Sequence, residues 1–313
     1  YLNSNSLSGT IPSSVSRLTA LSLMSLSTNS LTGTIATQIS ALNKLSILDL
    51  SSNQLTGGIP TGLSTLSLLT ILYLNSNKLS GSIPGSAIAA MTKLVHLNLR
   101  TNSLSGSITN SVSKLTALST LWLYSNQITG SLPAGISGLS KLTTVQLNSN
   151  LLDGTIPAGI GTWKLCSYLD FSDNLLTGSL PAAISALTAV SRLDISNNQL
   201  NGSLPASISA LSLLARLDLS RNQLTESIPS TVSALTALTY LSLQTNQLTN
   251  SIPAQIGSAT KLSYLLLQYN QLNGSIPVQV GALTKLVTLN ISSNQLSDSI
   301  PASIGALGLL NNL

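Results

Sequence analysis

Residues 45–66, LSILDLSSNQLTGGIPTGLSTL, carry two periodicities side by side. Leu48 and Leu50 alternate with polar neighbours as a half-buried strand does, whereas Ile59, Leu63 and Leu66 fall three or four residues apart, the spacing of a short helical or 3₁₀ return. Asn53 stands at the strand exit, and Gly57 and Pro60 punctuate the turn that follows. The stretch recurs along the whole chain. Asn5, Asn29, Asn53, Asn77, Asn102, Asn126, Asn150, Asn174, Asn198, Asn222, Asn246, Asn270 and Asn294 follow one another at 24 residues, except for a step of 25 between Asn77 and Asn102. Self-similarity at this period specifies a solenoid of about thirteen turns. The extra residue falls between Gly85 and Met91 and is expected as a bulge on the return side.

One turn cannot enclose its own leucines, so the inward columns bury a core only when turns stack. The expected fold is an α/β repeat solenoid, with a parallel sheet on one side and short 3₁₀, helical or extended segments on the other. Asn suits the strand exit because its amide both donates and accepts, serving backbone groups of its own and the adjacent turn as a structural ladder. Gly four residues later permits positive φ, and Pro after Ile sets φ where no hydrogen bond need be donated. Cys166, Phe171 and Trp163 fall in leucine columns and read as core, so Cys166 is expected to be an inert buried thiol.

Composition excludes several function classes. Apolar residues make up 43% of the 313 and charged residues 7%, so Ser, Thr, Asn and Gln must cover the surface. The net charge of +5 is scattered without runs, too dilute for a nucleic-acid footprint. One cysteine leaves no disulfide framework and no CxxC metal or redox motif. No apolar run is long enough to span a membrane, and residues 1–5 do not read as a signal peptide. No linker interrupts the repeats, so 1–313 reads as one continuous array.

The run after the ladder Asn, LSGTIP at 7–12 and LNGSIP at 272–277, resembles the plant-type leucine-rich repeat. The resemblance covers all thirteen turns. It implies a curved leucine-rich-repeat superhelix with a parallel β-sheet on the concave face, as in receptor-like kinase and receptor-like protein ectodomains and polygalacturonase inhibitors. The repetitive wording at 233–238 also resembles surface-protein arrays of protists. Cysteine-paired caps are missing, Glu226, Asn250 and Asp298 replace the turn Gly, and Ala36 and Thr109 replace Pro, so those turns are expected to relax. Tyr1 lies within a strand and Leu310 and Leu313 begin another, so the chain reads as a fragment without caps that would self-associate through its ends.

Recognition would use the outward strand positions, six, four and two residues before the ladder Asn, and the one just before it. All seven tyrosines fall in these positions, with Trp122 and the single histidine. Aromatics favour strands in any case, yet Tyr, Trp and Arg are also the residues that anchor interfaces. One candidate ligand-binding cluster is Tyr73, His96, Arg100, Trp122 and Tyr124; a second is Tyr240, Tyr264, Gln268 and Tyr269. Between them in sequence runs a charged stripe. Tyr168 precedes Asp170, which shares a column with Asp194 and Asp218, and Arg192, Arg216 and Arg221 are placed to neutralise these acids. The stripe reads first as a self-satisfied ion-pair ladder, with a polar partner site and cation binding as alternatives.

Catalytic readings fail. Acids beside arginines lack the apolar pocket that a glycoside-cleaving acid needs, and His96 has no nucleophile or acid at a recognised spacing. Neither GxxxxGK, GxGxxG nor HExxH occurs, and no metal or other cofactor is implied. Glycosylation acceptor triplets start at Asn201, Asn273 and Asn290. The chain therefore reads as a non-enzymatic recognition module of an extracellular or cell-surface protein, taking a protein, peptide or glycan on its concave face. The alternatives are a structural or adhesive spacer, the ectodomain of a receptor-like kinase, and an ice- or polysaccharide-binding surface. The last would need regular Thr ranks, whereas the strand columns mix Tyr, Asp, Arg and Gln.

Overall fold

The computed structural model describes residues 1–313, which form two compact units, Tyr1–Asp153 and Gly154–Leu313. In the first, strands Leu23–Ser25, Ile47–Asp49, Ile71–Tyr73, His96–Asn98, Thr120–Trp122 and Thr144–Gln146 pair in parallel in chain order. In the second, the series is Tyr168–Asp170, Arg192–Asp194, Arg216–Asp218, Tyr240–Ser242, Tyr264–Leu266 and Thr288–Asn290. Register sets like beside like, Leu48 beside Leu72 and Leu193 beside Leu217, so each position of the repeat forms a column.

Inward columns make the core. Leu45, Leu48, Leu50, Leu55, Leu63 and Leu66 are all buried, each contributing about 1.5–3 kcal/mol relative to exposure. Trp163 and Phe171 meet edge to face at 6.4 Å, and Cys166 is buried with them in the leucine columns.

The asparagine ladder joins one turn to the one before it. Asn53 Nδ2 donates to the carbonyls of Leu50 and Ser51 in its own turn and of Leu26 in the preceding one, at 3.0–3.2 Å, while its Oδ1 accepts from Leu31 N–H at 2.9 Å. A side chain able only to donate or only to accept would leave part of this backbone unsatisfied. The residue before it bends the chain: Ser52 has φ 53°, and its counterpart is left-handed in every turn. Tyr269 and Arg221 occupy this position, at φ 57° and 54°, so they sit on the bend rather than on the strand face expected of Tyr269.

Return segments are five-residue 3₁₀ turns such as Thr61–Thr65, opened by Pro60 at φ −64°, whose carbonyl accepts from Leu63 N–H at 3.2 Å. The extra residue between Asn77 and Asn102 forms no bulge. It lengthens the return into the α-helix Gly85–Ala90, where Ile88 N–H reaches back four residues to Pro84 instead of three. Nor do the turns that lack glycine relax. Gly57 has φ 72°, and Glu226, Asn250 and Asp298 keep φ of 64–65°, because their neighbours' hydrogen bonds hold the bend. Thr249 N–H, for example, still donates to Glu226 O at 2.9 Å.

Candidate functional site

On the first unit's strand face, Arg100 lies 5.7 Å from the Trp122 ring centroid and 5.4 Å from that of Tyr124, and donates to the Tyr124 hydroxyl at 2.7 Å. Neighbouring repeats supply these three side chains. The half-buried guanidinium has no carboxylate partner, so its remaining donors face out beside two ring faces. Trp122 Nε1 donates to Thr144 Oγ1 at 3.2 Å, which fixes the indole. His96 Nδ1 instead meets Thr120 Oγ1 at 3.0 Å. Tyr73 lies beside Asp49 on one side and Asn98 on the other; burial, then the Asp49 charge, raises its phenol above the ordinary value. Arg100, Trp122 and Tyr124 are thus brought together, with His96 and Tyr73 flanking them.

In the second unit the column six residues before the ladder Asn becomes a strip of rings and cations. Arg192 lies 4.6 Å from the Tyr168 ring, Arg216 lies 3.6 Å from that of Tyr240, and Tyr240 meets Tyr264 at 5.8 Å with a 44° tilt. The stripe and the second cluster are therefore continuous. Gln268 pairs with Gln244, and Tyr269 stands apart on its bend, 61% exposed.

At the end of each of these strands, two residues after the Tyr or Arg that opens it, the acids behave differently from expectation. Asp170, Asp194 and Asp218 are buried, and each Oδ1 accepts both the N–H and the hydroxyl of the serine two residues on, as Asp49 does. The full ion-pair ladder does not form. Arg216 alone pairs with these acids, at 2.9 Å to Asp218 and 3.9 Å to Asp194. Arg192 is held by the Tyr168 ring, and Arg221 points off the exposed bend. Asp170 Oδ2 accepts from the Tyr168 hydroxyl at 2.9 Å. Desolvation raises the Asp194 carboxyl above its ordinary range; the Asp218 and Asp170 charges add to the rise, and the Ser196 hydrogen bonds oppose it.

Sequence reasoning missed Ser172, Ser196 and Ser220, although the Asp-x-Ser spelling is legible; it also missed Thr120, one repeat length of 24 beyond His96, and Thr144, which lies 22 residues beyond Trp122 and so in the neighbouring column of the next strand. Asn201 and Asn273 are exposed on strands beyond the ladder, while Asn290 is half-buried and its Oδ1 accepts from Ser292. No group of three or more His, Cys, Asp or Glu is arranged to hold a metal, and no helix is long and apolar enough to cross a membrane.

Family models described as leucine rich repeat match residues 67–128 and, for a second model, 44–66, 166–187, 189–211, 213–235 and 285–307. No curated protein matches the chain. Among solved structures, the ectodomain of the Arabidopsis thaliana receptor kinase GASSHO1/SCHENGEN3, in complex with Casparian strip integrity factor 2, is 34% identical, with 99% of this chain and 40% of that one covered and a TM-score of 0.84. The Arabidopsis receptor kinase HAESA, in complex with the peptide hormone IDA and the co-receptor SERK1, is 32% identical over 98% of this chain and 59% of its own, at a TM-score of 0.83. A plant ice-binding protein is 31% identical over 74% of each chain, at a TM-score of 0.63. The chain spans only 40% and 59% of the two receptor structures. The repeat it shares with them is a ligand-binding, non-enzymatic type.

Proposed function

Because the chain belongs to the leucine-rich-repeat family, in its plant-type form, we propose that it is a recognition segment of an extracellular protein and captures a peptide on the outward strand face. The observation that carries this reading is Arg100, half-buried against Trp122 and Tyr124 with no acid to neutralise it. A guanidinium so placed offers N–H donors to a ligand carboxylate or carbonyl, and the rings offer apolar area at small entropic cost. The complex of HAESA with the peptide hormone IDA supports the same class of ligand. Selection of a displayed random-peptide library on the chain tests it. Enriched peptides should bind about tenfold or more weaker to Trp122→Ala and Arg100→Ala. Selection that enriches nothing, or peptides indifferent to both substitutions, would remove the proposal.

A second reading, ice binding, is favoured by one observation on the first unit's flank. Strands Lys78–Ser82, Ser103–Ser107 and Gln127–Ser131 display Ser80, Ser82, Ser105, Ser107, Thr129 and Ser131 in staggered rows, Ser82 beside Ser105 and Ser107 beside Thr129. Hydroxyls about 4.8 Å apart across strands and about 6.6 Å along them form short rows of two, ended by Gln127 after Ser105 and by Leu151 after Thr129. The ice-binding relative supports this reading. Inhibition of ice recrystallisation that is lost in Ser107→Lys/Thr129→Lys would establish it, and no inhibition by the parent chain would exclude it.

A further inference from the structure

Just before each strand the chain makes a hydrogen-bonded turn whose third residue, nine before the ladder Asn, lies on the edge of the repeat. Leu45 N–H closes one such turn onto Leu42 O at 2.9 Å, with Lys44 inside it; Leu66, Met91, Leu115 and Leu139 accept in the same way at 2.9–3.2 Å. Turns ordinarily favour Gly, Asn, Asp and Ser, and the rest of this surface is mainly Ser, Thr, Asn and Gln. The edge column contains none of them. In the first unit it reads Ala20, Lys44, Leu68, Lys93, Ala117 and Lys141, and in the second it holds only leucine, alanine and lysine again, from Leu165 to Leu309. Leu68 is 40% exposed, Leu165 and Leu213 are 57% exposed, and every lysine of the column is exposed. Ala20 and Ala117 sit in the same turn, so neither a long apolar nor a charged side chain is needed to form it.

Charge is sorted in the same direction. The first unit carries seven Lys and Arg against Asp49 and Asp153, the whole of the chain's net +5, while six cations and six acids cancel in the second. Neither Asp49 nor Asp153 lies in the edge column, and both ion pairs of the chain belong to Arg216. Lys44, Lys93 and Lys141 are therefore unneutralised. Thr70 N–H donates to Ser46 O and Val95 N–H to Thr70 O, each at 2.8 Å, which keeps successive edges in register. At about 4.8 Å per turn the three lysines stand roughly 10 Å apart, with Leu68 and Ala117 between them. Lys114, ending the 3₁₀ turn three residues before Ala117, adds a fourth exposed cation.

Lysine is a point charge on a flexible apolar stem, suited to a layer of anions without fixed geometry more than to one oriented carboxylate. Lysines alone would fit any polyanion. An exposed leucine between them gains only where an apolar medium lies behind the anions. We propose that this edge of the first unit docks on an anionic lipid surface, with Lys44, Lys93, Lys114 and Lys141 among the headgroups and Leu68 at the acyl boundary. The second unit's edge offers the same chemistry by itself in Lys164, Leu165 and Leu213. Docking does not use the strand face and is independent of the peptide reading.

Flotation of the 313-residue chain with phosphatidylcholine vesicles, made with and without phosphatidylserine, tests the proposal. The chain should float only with the vesicles that contain phosphatidylserine. Lys44→Gln/Lys93→Gln/Lys141→Gln should bind them at least tenfold more weakly, and Leu68→Ser about fivefold more weakly. None of the three ammonium groups is in an ion pair, and an unchanged urea midpoint checks that each variant is folded. Lys93→Gln alone should weaken binding where Lys78→Gln, an equal loss of charge beyond the ladder, does not. No flotation with phosphatidylserine, equal binding by the parent and the triple variant, or equal losses at Lys78 and Lys93 would overturn the proposal. Binding that ignores Leu68→Ser and transfers wholly to soluble dextran sulfate would overturn it too, since the partner would then be a polyanion in solution.

Discussion

Arg100 in the first unit and Arg216 in the second both rest against rings from neighbouring repeats, at 5.4 and 3.6 Å from the nearer centroid. They differ in what remains unspent. Arg100 has a tyrosine hydroxyl and no acid, so a cation is left over; Arg216 is shared between Asp218 and Asp194, so acceptors are left over. The backbone is alike at both places, with the same parallel register and the same asparagine ladder. The repeat decides where a side chain points, and the residue one repeat away decides what that side chain has left to offer a ligand.

The largest effect tests whether the scaffold is as uniform as this comparison requires. Asn126, beneath the first patch, accepts from Leu104 N–H at 2.9 Å and donates to Leu99 and Leu123 carbonyls at 3.0 and 2.9 Å; Asn222, beneath the second, makes the equivalent set. Substituting either by Ala strands several backbone groups and should cost about 3 kcal/mol or more in urea unfolding. Clearly unequal costs would break the comparison at its base.

The two arginines should then separate. Arg100→Ala should leave the urea midpoint unchanged and weaken a selected peptide by about 2 kcal/mol, roughly thirtyfold. Arg216→Ala should instead cost about 1–2 kcal/mol of stability, because it leaves two buried carboxylates without their cation. A stability loss at Arg100 as large as that at Arg216 would show that both are structural. Smaller again, Asn250→Gly removes a side chain from a left-handed turn and should stabilise by about 1 kcal/mol. The smallest effect is at Asp194. Its carboxyl is raised in the folded chain, so the ionised form carries a stability penalty that is present above the folded-state pKa and gone below the unfolded one. Asp194→Asn should melt slightly higher than the parent at neutral pH, and the difference should close as pH falls through the carboxylate range.

Most of the fold was legible because its determinants are local and repeated. The Leu48-Leu50 alternation, the Asn53 amide and the Ile59-Leu63-Leu66 spacing each specify one feature, and stacking multiplies them. Two local features were misread for the same reason: the conformation is decided by neighbouring turns. Glu226 and Asn250 keep the left-handed bend that glycine prefers, and the residue before each ladder Asn is left-handed whatever its identity, as Tyr269 shows. The patches were legible as columns but not as contacts. Arg192 had both a carboxylate and a ring in reach of the same column, and only the geometry decides for Tyr168 at 4.6 Å. Likewise, that an Asn can replace Asp in the Asp-x-Ser turn emerges only when Asn290 is seen making it.

The indoles provide the most direct test of recognition at the first patch. Trp163 is fully buried and Trp122 lies on the strand face, so a fluorescence change on titration with a selected peptide reports on Trp122. The account predicts a saturable shift in the parent chain that disappears in Trp122→Phe and weakens in Arg100→Ala. Saturable binding with the Trp122 emission unmoved would contradict it.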